Sequence, residues 1–289
     1  MKVFVSPFNN PFINLALEDY FLRGGADLPI AFFYVNRPCV VLGRFQNPWL
    51  ECHLPYLAQN DIWLVRRQSG GGCVFHDEGN LNYSFIYPEG MINRSRGVEL
   101  IQRAFQGADI HLEISPRHDL WLDKRKISGS AFKQTKSASF HHGTFLISSD
   151  LDKLEESLKH TIIPTQTKSI ASVRSKVITL QEKFPDIQLT DVIELISHEL
   201  KTIKMDLDGS LLSVPEVQES FKQLTSWDWV WGETPHFELD NLIVHKGMIR
   251  EPIEARFDPE NVKNLLNQEV IDRLFPDFSF QESSRLRIF

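Results

Sequence analysis

Three consecutive glycines, Gly70 to Gly72, follow two arginines and precede a short segment that favours a strand. Glycine lacks a Cβ atom, so its backbone adopts φ > 0 without strain and approaches a ligand closely. Successive N–H groups in such a loop form a concave anion site, and Arg67 adds a planar cation that suits phosphate. The segment has neither the Gly-Lys-Ser/Thr ending of a Walker loop nor the G-x-G-x-x-G spacing of a dinucleotide site. A phosphate cradle and a glycine-rich bend between strands with a solvated arginine pair are both compatible with these residues.

The rest of the chain predicts interleaved helices and strands. Of its 289 residues, 42% are hydrophobic, which is enough for one large domain or two unequal ones. The expected elements do not follow a strict βαβ rhythm, so we predict an α/β or α+β fold with mixed sheets. Apolar spacing and turn residues predict helices over 12–22, 49–59, 98–105 and 189–203, and strands over 30–34, 39–42, 62–65, 81–87, 120–122 and 143–147.

Charge and composition restrict the partners and the compartment. The formal net charge of −7 argues against general binding to nucleic acid or to anionic membranes. No apolar run approaches the ~18 residues of a membrane helix, and the first residues do not resemble a leader peptide. The three cysteines form no C-x-x-C pair, which favours a reducing compartment. We therefore expect a cytoplasmic protein, or a mitochondrial one if the chain is a processed eukaryotic form.

A second cationic segment follows a predicted hairpin turn at 123–125. Lys126 lies where the turn meets the strand and is followed by small residues that leave room for a ligand. We expect Lys124 and Arg125 to be solvated, as most charges at turns are. His141 and His142 are adjacent in a predicted strand, so their side chains should point to opposite faces. The histidine spacing predicts no metal site.

Several segments, in unbroken order over about residues 8–237, resemble the lipoate–protein ligase A family. The matching segments are VLGRFQNPWLEC at 41–52, RRQSGGGCVFHDEGN at 66–80, DL at 119–120, KISGSA at 126–131, FHHGT at 140–144, SVRSKV at 172–177 and WDWVWGETPHF at 227–237.

The resemblance implies a biotin/lipoyl protein ligase fold and a two-step reaction. Such ligases activate lipoate with ATP and Mg²⁺ to lipoyl-AMP and then transfer the lipoyl group to one lysine of a carrier. The implied carriers are the lipoyl domains of 2-oxoacid dehydrogenase acyltransferase subunits and the glycine cleavage carrier protein. The implied organisation is a catalytic domain over 1–238 and a shortened accessory domain over 239–289.

The resemblance also assigns residues. Lys126 is the implied catalytic residue and contacts both the lipoyl carboxyl group and the α-phosphate. The implied adenylate-binding residues are Arg67, Gly72, Cys73, Val74, Phe75 and Lys126, and the implied lipoate-binding residues are Ser69, Gly71, His76 and Lys126.

Three alternatives stay open at this point. The chain could be a lipoyltransferase that uses only preformed lipoyl-AMP, or a non-catalytic protein that binds lipoyl-AMP. Cys73 stands where we expect alanine in these ligases. Its thiol could relay the acyl group as a thioester, but we favour a small residue of which only the backbone N–H matters.

Overall fold

The computed structural model describes residues 1–91, 94–160, 164–202, 204–239 and 242–252. Helices mix with sheets that contain both parallel and antiparallel pairs, so the predicted α/β class with mixed sheets is confirmed. Of the predicted accessory domain over 239–289, residue 239 and residues 242–252 are described, and the other 39 residues lie outside the described ranges. Across the described ranges, every helix falls short of the length or the apolar content that a bilayer crossing requires.

The largest sheet has eight strands and forms the centre of the molecule. In spatial order its strands are β12 (Lys204–Asp206), β1 (Lys2–Val5), β2 (Ile30–Val35), β6 (Asn80–Pro88), β10 (Ala138–Leu146), β9 (Arg125–Gln134), β8 (Leu120–Leu122) and β7 (Glu113–Ile114). Strand β1 is parallel to both of its neighbours, and the other pairs are antiparallel.

Two smaller sheets accompany it. One contains β4 (Trp63–Arg66), β3 (Cys39–Leu42) and β5 (Val74–His76), and the other contains β11 (Gln166–Thr167), β13 (Phe237–Leu239), β14 (Leu242–His245) and β15 (Met248–Pro252). The predicted strands at 30–34 and 39–42 are confirmed, but they belong to different sheets. The turn at 36–38 therefore carries the chain from the large sheet to the three-stranded one.

Eight α-helices and two short 3₁₀ helices complete the described part of the chain. The α-helices are α1 (Pro11–Leu22), α2 (Pro48–Glu51), α3 (Leu54–Gln59), α4 (Arg96–Gln106), α5 (Leu151–Ser157), α6 (Leu189–Glu199), α7 (Pro215–Leu224) and α8 (Trp227–Val230), and the 3₁₀ helices are Leu180–Glu182 and Gly209–Ser213.

Local chemistry explains where two of these helices begin. Asn10 accepts hydrogen bonds from the backbone N–H groups of Phe12 and Ile13, and Pro11 occupies the first turn of α1, as its fixed φ favours. The single helix predicted over 49–59 is wrong, because the chain forms α2 and then α3. Pro55 has no N–H to continue the first helix, so a new helix begins around it.

The two faces of the large sheet carry separate cores. On one face, aromatic side chains such as Phe33, Phe85 and Phe145 pack with α4 and α6. On the other face, Phe32 and Tyr34 pack with α1, α7 and the three-stranded sheet. The strand alternation that separates these sets also separates the paired histidines of β10.

A buried arginine joins β4 to the segment around α8. The Arg66 guanidinium donates to the Val230 carbonyl at 3.0 and 2.6 Å and to the Thr234 hydroxyl at 3.2 Å. In return, the Trp229 indole N–H donates to the Arg66 carbonyl at 2.7 Å. Burial lowers the pKa of Arg66 to about 10, so it stays charged at neutral pH. Arg66 thus holds in place the strand that leads into the glycine loop.

Candidate active site

Two adjoining cavities lie on the face of the large sheet that also packs against α1. One is a cleft of about 740 Å³ beside α5 and the loop at 172–177, and the other is a narrower cavity of about 270 Å³. The residues that line both are Cys73, Val74, Lys126, Gly129, Thr144, Ser172 and Val173. The two cavities therefore meet at the start of β9, next to the glycine loop.

A row of residues in lateral register forms the floor of the smaller cavity. Tyr34 on β2 is opposite Asn82 on β6, Asn82 is opposite Thr144 on β10, and Thr144 is opposite Gly129 on β9. All four line the cavity. Three spacings between neighbouring strands span roughly 14 Å. The smaller cavity is thus a channel that crosses the strands.

Lys126 stands at the junction of the two cavities, as the predicted catalytic position requires. Its Nζ lies 2.9 Å from Oδ1 of Asp119, and the lysine side chain is 23% exposed. The backbone N–H of Lys126 donates to the Lys176 carbonyl at 2.9 Å, and this hydrogen bond fixes the start of β9 to the loop at 172–177. A Cβ at Gly129 would lie 3.0 to 3.1 Å from Cε and Nζ of Lys126, so the glycine leaves room for this side chain.

The Arg67 guanidinium lies inside the glycine loop. It donates to the carbonyls of Gly70 at 2.7 Å and Gly72 at 2.8 Å, and to the hydroxyl of Ser69 at 2.9 Å. Burial lowers the pKa of Arg67 to about 10, which leaves the group cationic at neutral pH. Gly71 has a φ of 94°, the left-handed region that the sequence led us to expect for a glycine loop. Arg67 therefore shapes the loop from within, and its side chain reaches the smaller cavity.

Ser172 covers part of the loop that the resemblance assigns to the nucleotide. The Cys73 backbone N–H and the Gln46 amide each donate to the Ser172 hydroxyl oxygen at 2.9 Å. That hydroxyl in turn donates to the carboxylate of Glu51. One of the predicted anion-binding N–H groups is thus paired with a side chain from the loop at 170–173.

A buried polar chain lies behind the channel wall. The Ser69 hydroxyl oxygen lies 2.7 Å from Nε2 of His142, and Nδ1 of His142 lies 3.0 Å from both carboxylate oxygens of Glu18. Burial and the neighbouring Glu18 raise the pKa of Tyr34 well above its usual value. Ser69 does not line the channel, whereas His142 does. Ser69 therefore contacts the channel only through His142.

His76 lines the channel and is 4% exposed. Its Nδ1 lies 3.0 Å from Nδ2 of Asn36, and burial lowers the pKa of the ring to about 3. Its Nε2 has no hydrogen-bond partner among the described residues. The ring is therefore neutral at physiological pH, with one nitrogen still available.

The structure brings together nearly all of the predicted site residues. Gly71, Gly72 and His76 line the channel, and Phe75 lines the larger cleft. Cys73, Val74 and Lys126 line both cavities. Arg67 reaches the channel wall, whereas Ser69 lies behind it.

The cysteine in the glycine loop faces another thiol. Cys73 Sγ lies 3.8 Å from Cys52 Sγ, and both side chains are buried. Burial and the neighbouring thiol raise the pKa of Cys52 well above its usual value. The environment of the pair is therefore apolar.

Several residues that build the site were not predicted as site residues. Asp119 pairs with Lys126, Glu18 orients His142, and Glu51 and Asn36 hold Ser172 and His76. No group of three His, Cys, Asp or Glu side chains within the described ranges lies close enough to hold a metal ion.

The chain is similar to proteins of known families. Residues 10–201 match the family described as lipoyl protein ligase A/B catalytic domain. Over 250 residues the chain is 35% identical to a lipoate-protein ligase A of Psychrobacter cryohalolentis. The matched region covers 82% of this chain and 74% of that protein.

Solved structures show the same fold. P. falciparum LipL1, solved in complex with lipoate, superposes with a TM-score of 0.71 at 26% identity, over 84% of this chain and 82% of that one. A bipartite lipoate protein ligase from Thermoplasma acidophilum, studied together with its E2 lipoyl domain, superposes with a TM-score of 0.66 at 24% identity. This superposition covers 79% of this chain and 95% of that one.

Proposed function

The chain belongs to the lipoate–protein ligase A family, and we propose that its two joined cavities first form a lipoyl adenylate and then consume it. The observation that carries this proposal is the position of Lys126, whose side chain lines both cavities. In this proposal the channel takes the lipoyl chain and the larger cleft takes the nucleotide. The reacting carboxylate and phosphate then meet at the lysine.

The first half-reaction brings two anions together. A lipoate carboxylate oxygen attacks the α-phosphorus of ATP, the bond to the bridging oxygen breaks, and pyrophosphate leaves. A cation between the two anions reduces their repulsion and stabilises the charge that develops on the phosphoryl oxygens. In this proposal Lys126 supplies that cation, and the Asp119 carboxylate holds its ammonium group at 2.9 Å. We treat Lys126 as the catalytic residue and Asp119 as the positioning residue.

The second half-reaction uses the energy of the mixed anhydride. The neutral amine of a carrier lysine attacks the lipoyl carbonyl carbon, an amide bond forms, AMP leaves with the bonding electron pair, and the amine releases one proton to solvent. Because the acyl group is already activated, this step depends mainly on positioning. By analogy with the family, the proposed carriers are lipoyl domains of 2-oxoacid dehydrogenase complexes and the glycine cleavage carrier protein.

In this proposal, backbone N–H groups and a buried cation bind the nucleotide. Gly72, Cys73, Val74 and Phe75 line the cavities at the glycine loop, and the buried Arg67 cation lies behind them. Successive N–H groups of this kind suit phosphate oxygens. Mg²⁺ usually reaches such sites bound to the phosphates, with only one or two carboxylates from the protein, so the lack of a three-ligand cluster in the described ranges is compatible with Mg-ATP.

The assignment of the lipoyl chain to the channel is supported by the shape of the channel. The channel runs across four strands from Gly129 to Tyr34, a span of roughly 14 Å that suits an extended acyl chain ending in a small ring. Ser69, Gly71 and His76 surround this path, Ser69 through its contact with His142. The acyl carboxyl group then lies at the Lys126 end.

A reconstituted reaction tests the proposal. Purified protein is incubated with ATP, Mg²⁺, lipoate and an apo lipoyl domain, and the carrier is examined by mass spectrometry for one added lipoyl group. Omitting ATP and supplying lipoyl-AMP separates the two half-reactions. A lipoate-dependent exchange of pyrophosphate into ATP identifies a ligase, transfer from lipoyl-AMP alone identifies a transferase, and neither activity identifies a binding protein.

A further inference from the structure

Two thiols lie in contact beside the glycine loop. Cys52 directly follows α2 and is fully enclosed in the core, whereas Cys73 follows the three glycines, is 9% exposed and lines both cavities. The two sulfur atoms are 3.8 Å apart. A disulfide bond requires a separation of about 2.05 Å, so the sulfur atoms must approach each other by roughly 1.8 Å.

The two cysteines differ in how far they can move. The Cys52 backbone N–H donates to the Pro48 carbonyl at 3.1 Å, and the side chain of Cys52 is enclosed on all sides. Cys73 instead follows a glycine run, in which a Cβ at Gly70 would meet no described atom within 4 Å. Glycine backbone has more conformational freedom than that of any other residue. The approach of the sulfur atoms therefore falls mainly on the glycine loop.

The contacts of Cys73 connect this movement to the nucleotide site. Its backbone N–H donates to the Ser172 hydroxyl oxygen at 2.9 Å, and that hydroxyl donates to the Glu51 carboxylate. The Arg67 guanidinium donates at 2.8 Å to the carbonyl of Gly72, directly ahead of Cys73. A shift of about 1 Å or more at Cys73 therefore displaces both the N–H groups and the cation that we assign to phosphate binding.

We propose that Cys52 and Cys73 form a reversible disulfide bond that weakens the binding of ATP at the glycine loop. Formation of the bond is independent of the proposed function, and only its effect on activity rests on that function. In a reducing compartment, disulfides of this kind are transient and sense oxidants. The bond would thus lower adenylate formation while an oxidant is present.

Hydrogen peroxide is the oxidant that we propose. The Cys73 sulfur attacks one peroxide oxygen, the O–O bond breaks, and the thiol proton leaves with the second oxygen as water. The Cys52 sulfur then attacks the resulting sulfenic acid at sulfur, the S–O bond breaks, and the hydroxyl group takes the Cys52 proton and leaves as water. The two sulfur atoms lose two electrons, which the peroxide accepts.

The order of these two steps follows from the environment of each thiol. Burial raises the pKa of the Cys52 thiol well above its usual value, which makes it a poor first nucleophile. Cys52 lines neither cavity, whereas Cys73 lines both. Peroxide in the cavities therefore meets Cys73 first, and a dithiol reductant reverses the bond by thiol–disulfide exchange.

Peptide mapping tests whether the bond forms. The full-length protein, freed of reductant, is treated with hydrogen peroxide, its remaining thiols are alkylated in denaturant, and it is digested with trypsin. Cys52 then lies in the peptide at 45–66, Cys73 in the peptide at 68–94, and Cys39 in a third peptide. We expect the first two peptides to be joined, with the loss of two hydrogen atoms, and to separate after reduction.

Pyrophosphate exchange in the same samples tests whether the bond controls the site. At subsaturating ATP, peroxide should lower lipoate-dependent exchange of the wild-type protein by about tenfold or more. A dithiol reductant, removed before the assay, should restore the rate to within about twofold. In Cys52→Ala the bond cannot form, so treated and untreated rates should agree within about twofold.

Cys39→Ala is the matched control. It removes another fully buried thiol that lines neither cavity, and it should retain both the joined peptides and the full loss of exchange. For each variant the treated rate is divided by the untreated rate of the same preparation. This ratio is independent of the fraction of protein that has folded.

The outcomes separate the inference from the proposed function. Four results overturn the inference and leave the ligase function intact: separate peptides in the treated wild type, joined peptides without a loss of exchange, a loss that reductant does not reverse, or an equal loss in Cys52→Ala. No exchange by the untreated protein overturns the proposed function instead, and the peptide map then still decides whether the bond forms.

Discussion

Replacing Lys126 by Met tests the site at the point where the two cavities meet. Methionine keeps an unbranched side chain of similar length and removes the charge. The Nζ–Oδ1 contact of 2.9 Å to Asp119 is lost, together with the proposed contacts to carboxylate and phosphate. The substitution thus affects both catalysis and the local charge balance, and the two effects require separate measurements.

The effect on rate follows from the proposed role of the ammonium group. Removal of one preorganised group that stabilises transition-state charge lowers turnover by about 10²- to 10³-fold, or about 2.7–4 kcal/mol. Lipoate-dependent pyrophosphate exchange should fall by this factor. Lys124→Gln serves as the matched control, because it removes a neighbouring cation that lines neither cavity and should leave the rate within about twofold.

The effect on stability comes from Asp119. Its side chain is 9% exposed, and the substitution leaves its carboxylate without a cation. We expect a loss of about 1–3 kcal/mol, below the range for fully buried pairs because Lys126 retains some contact with water. The double variant Lys126→Met with Asp119→Asn removes both charges and should regain most of the stability and none of the rate.

Two results would refute this reasoning. Turnover within tenfold of the wild type in Lys126→Met would remove the lysine from the chemistry. Recovery of turnover in the double variant would show that the single substitution acts only through the unpaired carboxylate.

Three further predictions concern the rest of the site. Cys73→Ala should leave the rate of acyl transfer within about twofold of the wild type, because the Cys73 backbone N–H faces the site and its thiol faces another thiol. Loss of transfer in this variant would support a thioester relay. Ser172→Ala should lower the KM for ATP about fivefold by freeing the Cys73 N–H, and a raised KM would show that the hydroxyl itself binds nucleotide. His76 and His141 have pKa values of about 3 in the fold against 6.5 when unfolded. The unfolded chain therefore binds more protons between these values, and the free energy of unfolding, measured by urea titration, should fall by about 2.5 kcal/mol from pH 7 to pH 5.5; an unchanged value would show that the rings charge in the folded state.

Local patterns in the sequence predict much of the fold and also the segment around Lys126, where the two cavities meet. The turn before Lys126 needs left-handed residues, and Asp123 and Lys124 have φ values of 49° and 60°. The alternation of β10 is confirmed, because His142 faces the channel while His141 bonds to Ser130 on the opposite face. These features depend on neighbours along the chain, which a sequence records directly.

Pairings between distant segments are what the sequence does not reveal. Glu18 lies in α1 among apolar residues and resembles any polar position of a helix, but its partner His142 is 124 residues away. Glu51 and Ser172 are likewise 121 residues apart. A buried carboxylate needs such a partner to be stable, but no periodicity identifies which residue supplies it. The contribution of these acids therefore emerges only from the packing of α1 and α2 against the sheets.

The Arg66 anchor has a consequence for how such a chain can vary. Two of its acceptors, Val230 and Thr234, come after residue 201, where the family match ends, whereas the others are carbonyl groups at positions 43, 44 and 46. A protein cut after 201 would deprive the buried Arg66 guanidinium of these two acceptors, immediately ahead of the glycine loop. The tryptophan-rich stretch that ends at Thr234 is therefore structurally part of the glycine-loop region, and a truncation that spares it should disturb that loop less than one that removes it.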